Sequence, residues 1–288
     1  MRINFIKMQG CGNDFLFIDA IRSIPPRLNS TEIRFYCDRH FGIGADGVVV
    51  LRRSEIADLA WDFFNSDGSV AEMCGNAARC AVRYITEKYL PDETVSIETI
   101  AGVIKGRKLA DNTVEVGLSK PHFEYNYTEH ILEIENNVFQ LNCINTGVPH
   151  AVLEVKDLIT YPINRVGRQI QSHPLFKKEG TNVTFFQRLV GNRIRSTTFE
   201  RGVAAETLAC GTGAAAAALV FSQTYAQPLP VNVSVPGGDL VVDVSPVSRV
   251  LLLTGPAEYV FEVDMESAPP HFEKLPIFSE SSSVRGQA

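Results

Sequence analysis

A short pattern that occurs in both halves of the chain constrains its fold more than any other feature. Asn65 precedes Cys74 by nine residues, and Arg201 precedes Cys210 by the same nine residues. Each cysteine follows a turn and is followed by glycine and a stretch of small, helix-favouring residues. Such a repeat predicts two related halves, each of which places one cysteine at the start of a helix.

Both halves also share a plan of several strands with one central helix. The central helices are predicted over about 74–89 and 210–225, and an additional helix is predicted over 30–39. Apolar stretches bounded by turn-forming residues predict the strands. They cover residues 3–8, 15–19, 47–51, 59–64, 94–97, 103–109, 113–118, 139–144, 151–155, 183–188, 194–199, 231–235, 240–244 and 250–253. The fold class is therefore α/β.

Composition and charge exclude several kinds of protein. With 288 residues, of which 45% are hydrophobic and 21% charged, the chain is long enough for two compact domains. Its net charge of −6 and its scattered basic residues argue against nucleic acid as a partner. The longest apolar run, 214–221, is too short to span a membrane, and residues 1–10 have no signal-peptide pattern, so we expect a cytoplasmic protein with no membrane partner. Residues 266–288 are rich in Ser, Pro and Glu and are predicted to form a flexible tail.

The six cysteines are predicted to be free thiols with no metal site among them. No Cys-x-x-Cys pair and no Cys/His group at zinc spacing occurs. At a helix start, Cys74 and Cys210 would face unpaired backbone N–H groups and the positive end of the helix dipole. We therefore expect both thiols to have lowered pKa values and to act as bases. The glycine after each cysteine is expected to let a ligand approach the backbone, where the N–H groups suit a carboxylate.

Two such thiols suit the inversion of a carbon that carries hydrogen. A base must remove the proton from one face of the carbon, and an acid must return a proton to the other face. A thiolate and a thiol can exchange these roles when the reaction reverses, so the pattern predicts racemisation or epimerisation. The alternative is that both cysteines are small buried residues that only pack at helix starts.

The residues around this pattern resemble the diaminopimelate epimerase family. Matching stretches occur in the family's order between Gly10 and Ala257. They are GCGNDF at 10–15, HFGIGADG at 40–47, FNSDG at 64–68, MCGNAARC at 73–80, TGVPH at 146–150, GTNVTF at 180–185, ERG at 200–202, ETLACGTGA at 206–214, PGG at 236–238 and GPA at 255–257.

The resemblance implies a fold and a reaction. The fold would be two pseudo-symmetric α/β domains, each with mixed β-sheet strands wrapped around a central helix. The domains would comprise residues 1–119 and 120–257, with the segment at about 258–265 returning to the first domain. The reaction would interconvert LL- and meso-diaminopimelate without a cofactor, in lysine and peptidoglycan-precursor synthesis, and the enzyme would be a homodimer.

The resemblance also implies roles for individual residues. Cys74 and Cys210 would be the two acid/base residues, and His150 and Glu200 would support catalysis near the stereocentre. The substrate-binding positions would be Asn13, Asn65, Gly75, Asn76, Asn182, Glu200, Arg201, Gly211 and Thr212. By their chemistry, Arg201 suits a distal carboxylate and the asparagines suit a ligand with ammonium and carboxylate ends.

Three positions depart from the family's pattern. Val148 stands where many members have asparagine, and Gly47 stands where glutamine is common. We therefore expect two polar substrate contacts to be missing or moved. Cys11 stands where the family commonly has an uncharged residue without a thiol, and it is expected to add sensitivity to oxidation without a catalytic role.

Two other interpretations remain open at this point. A related racemase of proline, hydroxyproline or glutamate would use the same two thiols, although Arg201 and the asparagines favour a substrate with a second charged end. A protein of another class, either a two-cysteine redox sensor or an amino-acid-binding protein, would use the cysteines without catalysis. A racemase or epimerase incorporates solvent deuterium at the α-carbon of its substrate, whereas a redox sensor or an amino-acid-binding protein does not.

Replacing either cysteine of the pattern separates these interpretations. We expect Cys74→Ala and Cys210→Ala each to lower epimerisation by roughly 10²–10⁴-fold, because one thiol cannot serve both faces of the carbon. The measurement is solvent deuterium incorporation together with interconversion of the two isomers, with Cys143→Ala as the control. Near-normal epimerisation by either variant would contradict a two-base reaction.

Overall fold

The structure is a computed structural model, and it describes residues 2–91, 93–118, 128–135, 137–176, 180–202, 205–267 and Phe272. The predicted domain boundary between residues 119 and 120 lies outside the described residues. So does the predicted tail, apart from 266, 267 and 272. Among the helices described, none combines the length and the apolar character that a membrane span requires.

Among the described residues, each half of the chain contains two α-helices among its strands. The first half contains β1 (Arg2–Gly10), β2 (Asn13–Asp19), α1 (Ser30–Cys37), β3 (Gly47–Arg52), β4 (Leu59–Asn65), α2 (Gly75–Lys88), β5 (Val95–Thr99), β6 (Gly102–Lys108) and β7 (Val114–Gly117). The second half contains β8 (Thr128–Ile134), β9 (Asn137–Asn145), β10 (Pro149–Glu154), α3 (Ile163–Gln171), β11 (Asn182–Arg188), β12 (Arg193–Glu200), β13 (Ala205–Glu206), α4 (Gly211–Tyr225), β14 (Val231–Val235), β15 (Gly238–Val244) and β16 (Leu251–Gly255). The last strand, β17 (Glu258–Glu266), returns to pair antiparallel with β1.

The strand pairings of the two halves follow the same order. In the first half neighbouring strands are β17, β1, β2, β3, β4, β5, β6 and β7. In the second half they are β8, β9, β10, β11, β12, β14, β15 and β16. The parallel pairs β2–β3 and β4–β5 match the parallel pairs β10–β11 and β12–β14, and the antiparallel pair β7–β16 joins the halves. The predicted α/β fold with two pseudo-symmetric halves is confirmed.

The pseudo-symmetry extends to the register of single residues. The matching pairs are Phe15–Gly47 with His150–Asn182, and Val48–Phe64 with Val183–Phe199. Asn13 therefore corresponds in position to Val148, and Asn65 corresponds to Glu200. Residues of quite different chemistry thus occupy equivalent places on one backbone plan.

The central helices α2 and α4 are packed inside the strands and share one apolar core. Five consecutive alanines, 214–218, are each at most 1% exposed. A helix that is apolar on every side is stable only when it is buried, and small side chains let strands approach it closely. The composition of α4 therefore explains why the sheet surrounds it.

The starts of α2 and α4 pack against one side chain of β16. A Cβ atom built on Gly75 would lie 3.3 Å from Cδ2 of Leu253, and a Cβ built on Gly211 would lie 2.8 Å from the same atom. Leu253 thus fills the space that a side chain at Gly211 would need, and Leu253 fills it at Gly75 together with Leu118, whose Cδ2 would lie 2.9 Å from the Cβ. The two glycines were expected to let a ligand approach the backbone. In the direction in which a side chain would extend from them, the structure has Leu253.

The helix α3 and the strand β8 were missed by the sequence analysis. The apolar residues Ile163, Val166 and Ile170 of α3 are buried and spaced as on one helix face, but Gly167 and polar neighbours obscure the pattern. Gly167 is required by packing, since a Cβ there would lie 2.5 Å from Cγ of Phe199.

Shortening Leu253 is expected to loosen both helix starts at once. Leu253→Ala should lower the free energy of unfolding by about 2–5 kcal/mol, because the fully buried side chain leaves a cavity. Urea unfolding measures the change, with Leu252→Ala, which is partly exposed on the same strand, as the control. Equal losses in the two variants would contradict this role of Leu253.

Candidate active site

Cys74 and Cys210 occupy equivalent positions directly before the two central helices. Cys74 is the N-cap residue of α2, and Cys210 is the N-cap residue of α4, both with extended backbone. The predicted helix-start position of both cysteines is confirmed. Both residues are partly buried, and the two thiols are close enough for the charge of Cys74 to act on Cys210.

The expectation that both thiols have lowered pKa values is wrong for the site without ligand. Burial raises the pKa of Cys74, although the backbone N–H groups of Asn76 and Ala77 act in the opposite direction. Burial also raises the pKa of Cys210 to about 12, and the negative charge of Glu200 adds to this effect. Removing water from a sulfur disfavours the thiolate more than a helix start favours it here.

Two asparagine side chains surround the Cys74 thiol. The thiol donates to Oδ1 of Asn13 at 3.6 Å, and Nδ2 of Asn76 donates to the same oxygen at 3.1 Å. Nδ2 of Asn76 also donates to the carbonyl oxygen of Ala209 at 3.2 Å, directly before Cys210. Oδ1 of Asn76 is buried and has no hydrogen-bond partner within the described residues. Asn76 thus connects the surroundings of the two cysteines and keeps one acceptor unused.

Asp46 fixes the other end of the Asn13 side chain. Nδ2 of Asn13 donates to Oδ2 of Asp46 at 2.6 Å. Arg39 donates to Oδ1 of Asp46 at 3.0 Å and also pairs with Asp14. No spacing rule in the sequence pointed to Asp46, although it lies within the stretch GADG at 44–47.

A hydroxyl and a carboxylate surround the Cys210 thiol. Its sulfur lies 3.5 Å from Oγ1 of Thr212, and the carboxyl group of Glu200 is near enough for its charge to raise the pKa of the thiol. Oγ1 of Thr207 donates to Oε1 of Glu200 at 2.6 Å. Burial raises the pKa of Glu200, and the contacts with Thr207 and Cys210 act in the opposite direction. Cys210 therefore has a neighbouring group that can accept its proton.

His150 lies behind Thr212 and makes no direct contact with a thiol. Its Nε2 is 3.0 Å from Oγ1 of Thr212, and its Nδ1 is 2.9 Å from Oγ1 of Thr184, which in turn contacts Thr198. The residue is 1% exposed. Burial and the charge of Arg201 lower the pKa of His150 to about 3, so the imidazole is neutral at physiological pH. The network holds Thr212 against Cys210, and the sequence analysis did not single out the two other threonines in it, Thr184 and Thr198.

Asn182 and Arg201 lie together beside His150. Oδ1 of Asn182 accepts from the backbone N–H of Arg201 at 2.9 Å, and its Nδ2 donates to the carbonyl oxygen of Pro149 at 3.3 Å. Arg201 is exposed, and its side chain lies over Gly180, where a Cβ would stand 2.5 Å from Cδ of Arg201. Asn182 thus shapes the turn that carries Arg201.

Asn65 lies at the end of β4, in the turn that leads towards α2. Its side-chain amide donates to Oγ of Ser69 at 3.0 Å, and the residue is exposed. Its register partner is Gly47. A Cβ on Gly47 would lie 2.6 Å from the carbonyl oxygen of Phe64, so glutamine does not fit there without a backbone shift.

The buried side chain of Arg79 was not singled out by the sequence analysis. It is fully buried in α2, and all its hydrogen-bond partners are neutral: the carbonyl oxygens of Pro256 and Gly75 and the sulfur of Cys11. Burial raises the pKa of Cys11, which has a left-handed backbone with φ of 54°.

Within the described parts of the chain, no three His, Cys, Asp or Glu side chains are grouped to hold a metal ion.

The chain matches known proteins over most of its length. A sequence model of the diaminopimelate epimerase family matches residues 5–123 and 142–260. Diaminopimelate epimerase from Moorella thermoacetica is 38% identical over 277 residues, which cover 91% of this chain and 99% of the relative. Diaminopimelate epimerase from Aquifex aeolicus is 41% identical over 272 residues, which cover 90% and 96%.

One solved structure with low sequence identity has the same fold. The phenazine biosynthesis protein of the PhzF family from Bacillus anthracis superposes with a TM-score of 0.69 at 16% identity, covering 92% of this chain and 99% of that one. At this identity the likeness concerns the fold alone.

The buried His150 is expected to make stability depend on pH. Its pKa is about 3 when folded against an ordinary value of 6.5, so the unfolded chain binds an extra proton between these values and stability is lost as the pH falls from 6.5 towards 3. The loss at pH 5 should be about 2 kcal/mol. Urea unfolding at pH 7 and pH 5 measures it, and His150→Gln should remove this part of the pH dependence. An unchanged dependence in the variant would contradict a buried, neutral His150.

Proposed function

This chain belongs to the diaminopimelate epimerase family, and we propose that it interconverts LL- and meso-2,6-diaminopimelate by moving a proton between two thiols. The observation that carries the proposal is the pair of helix starts held against Leu253, each preceded by a cysteine. The α-carbon would lie between the sulfurs of Cys74 and Cys210.

The reaction transfers one proton on each side of the α-carbon. The thiolate of one cysteine removes the α-proton and becomes a thiol, while the thiol of the other gives its proton to the opposite face and becomes a thiolate. No oxidant or other co-reactant is needed. The backbone N–H groups at the starts of α2 and α4, including those of Gly75 and Gly211, would bind the α-carboxylate that gains charge in the transition state.

The bound substrate would supply the charge that a thiolate needs. Burial disfavours both thiolates, but an ammonium group beside a sulfur lowers its pKa again. The unpartnered Oδ1 of Asn76 suits the α-ammonium group as an acceptor. Glu200 would take the proton of Cys210, and His150 would act through Thr212 by holding its hydroxyl in place.

The distal end of the substrate sets the choice among amino acids. Arg201 would pair with the distal carboxylate, and Asn13, Asn65 and Asn182 would arrange the polar wall around the distal ammonium group. Proline has no second charged end, so it would make none of these distal contacts. A racemase of proline, hydroxyproline or glutamate is therefore the second candidate.

The remaining assignments concern assembly and location. We propose a cytoplasmic enzyme of lysine synthesis with two domains, divided near residue 120 and joined again by 258–265. We also propose a homodimer that forms through β17. This strand pairs only with β1 within the described residues, and Tyr259, Val260 and Phe261 on it are 40%, 50% and 43% exposed. An exposed apolar edge strand is a surface that proteins usually cover.

Substrate comparison tests the proposed reaction. We expect kcat/KM for diaminopimelate to exceed that for glutamate and proline by about 10⁴-fold, because glutamate lacks the distal ammonium group and proline lacks both distal charged groups. Arg201→Ala should lower kcat/KM for diaminopimelate by at least about 100-fold through the lost carboxylate contact. Arg193→Ala, at the start of β12, the strand that Arg201 directly follows, is the control. A kcat/KM for glutamate equal to that for diaminopimelate would overturn the substrate assignment.

Sedimentation velocity tests the proposed dimer. Val260→Lys should convert the dimer to a monomer, because a charge would be buried where the two β17 edges meet. Ile131→Lys places the same charge on the exposed side of β8, the corresponding edge strand of the other half, and should leave the dimer intact. A monomeric wild type, or equal dissociation of both variants, would contradict an interface at β17.

A further inference from the structure

The hydrogen bonds around Cys74 have a direction that two groups impose. Asp46 is a carboxylate and only accepts, so it requires the Nδ2 end of Asn13. The carbonyl oxygen of Ala209 also only accepts, so it requires the Nδ2 end of Asn76. Both amides are therefore oriented by partners that cannot reverse their role.

These orientations turn an acceptor towards the Cys74 sulfur. With Nδ2 of Asn13 committed to Asp46, its Oδ1 faces the sulfur at 3.6 Å and also accepts from Asn76. An amide oxygen can accept from a thiol, but it repels a thiolate. The contact between Asn13 and Cys74 is thus favourable in one protonation state of the cysteine only.

The Cys210 sulfur has different surroundings. Thr212 brings a hydroxyl that can donate to a thiolate, and Glu200 brings a carboxylate whose charge raises the pKa of the thiol. The residues at the positions of Asn13 and Asp46 in this half are Val148 and Thr181. Val148 has no polar side-chain atom, and the Thr181 hydroxyl donates to the neighbouring carbonyl oxygen of Asn182. Among the described residues, the carboxylate–amide–thiol arrangement therefore occurs at Cys74 and not at Cys210.

We propose that Asp46 is a positioning residue that, through the Asn13 amide, favours the thiol form of Cys74. This role concerns the protein by itself and goes beyond the proposed function without depending on it. Other charged or ionisable groups act on Cys74 as well: Arg79 and Cys80 on its own helix, Glu200 at the end of β12 and Cys210 at the start of α4.

The thiol of Cys74 can be titrated without any substrate. In a Cys210→Ser background, the pH dependence of alkylation by iodoacetamide at Cys74, followed by peptide mass spectrometry, reports its thiolate fraction. Asn76→Ala in the same background removes the other group that holds Oδ1 of Asn13 in place, and Asp46→Asn then allows the Asn13 amide to turn its Nδ2 towards the sulfur. We expect alkylation of Cys74 at pH 7 to become about tenfold faster, which corresponds to a pKa lowered by one unit.

A double-mutant cycle separates positioning from simple loss of a negative charge. If Asp46 acts through Asn13, Asp46→Asn has no further effect on Cys74 in an Asn13→Ala background. An effect of the charge alone would persist in that background and would overturn the proposal. An unchanged Cys74 profile after Asp46→Asn in the Asn76→Ala background would overturn it as well.

Two controls complete the experiment. Arg39→Gln removes a partner of Asp46 but leaves its bond to Asn13, so alkylation of Cys74 should stay within about twofold of the parent, as expected for loss of an exposed ion pair. Cys210, titrated in a Cys74→Ser background, should not respond to Asp46→Asn, and an equal response would contradict the proposal. If Cys74 responds as expected but the enzyme does not epimerise diaminopimelate, the positioning role stands and the proposed function fails.

Discussion

Leu253 occupies the space that side chains at two helix starts would otherwise take, and the geometry of the site depends on this packing. Gly75 and Gly211 both lie against its Cδ2 atom, and Gly75 also lies against Cδ2 of Leu118, so a side chain at either position requires a leucine to shift. The same strand pairs with β7 and thereby joins the two halves. Close-packed interiors deform little, so this packing limits how far the two helix starts can move relative to each other. A reaction that needs one sulfur on each side of a single carbon depends on such a constraint.

The two halves share one backbone plan but place different side chains around their cysteines. Register places Asn13 opposite Val148 and Asn65 opposite Glu200, and the two helix starts carry Asn76 and Thr212 at equivalent positions. One thiol therefore faces an amide oxygen and the other faces a hydroxyl and a carboxylate. Two identical halves would give both sulfurs the same proton affinity, whereas an acid and a base must differ at the moment of reaction.

Burial determines the protonation states of the two cysteines and of His150. A helix start stabilises a thiolate through its free N–H groups, but the loss of water around Cys74 and Cys210 outweighs that effect, and the same loss makes His150 neutral. Such a site suits a zwitterionic ligand, since polar side chains and backbone N–H groups are available to bind its charged ends. The sequence analysis expected lowered thiol pKa values because it could count N–H groups at a helix start but could not count the atoms that exclude solvent.

The sequence by itself determined the duplicated plan, the two central helices and most of the strands, because apolar spacing, turn residues and the repeated Cys-Gly step are local signals. It did not predict α3, whose glycine fits against Phe199, since that requirement comes from a residue far along the chain. It named Asn13, Asn76, Glu200 and Thr212 through family resemblance, but it left open what each of them contacts. Only the tertiary structure decided that Asp46 orients Asn13, that His150 reaches Cys210 through Thr212, and that Leu253 needs both glycines. These contacts join residues that are distant in sequence, and the directions of their hydrogen bonds and their loss of solvent exist only once the chain is packed.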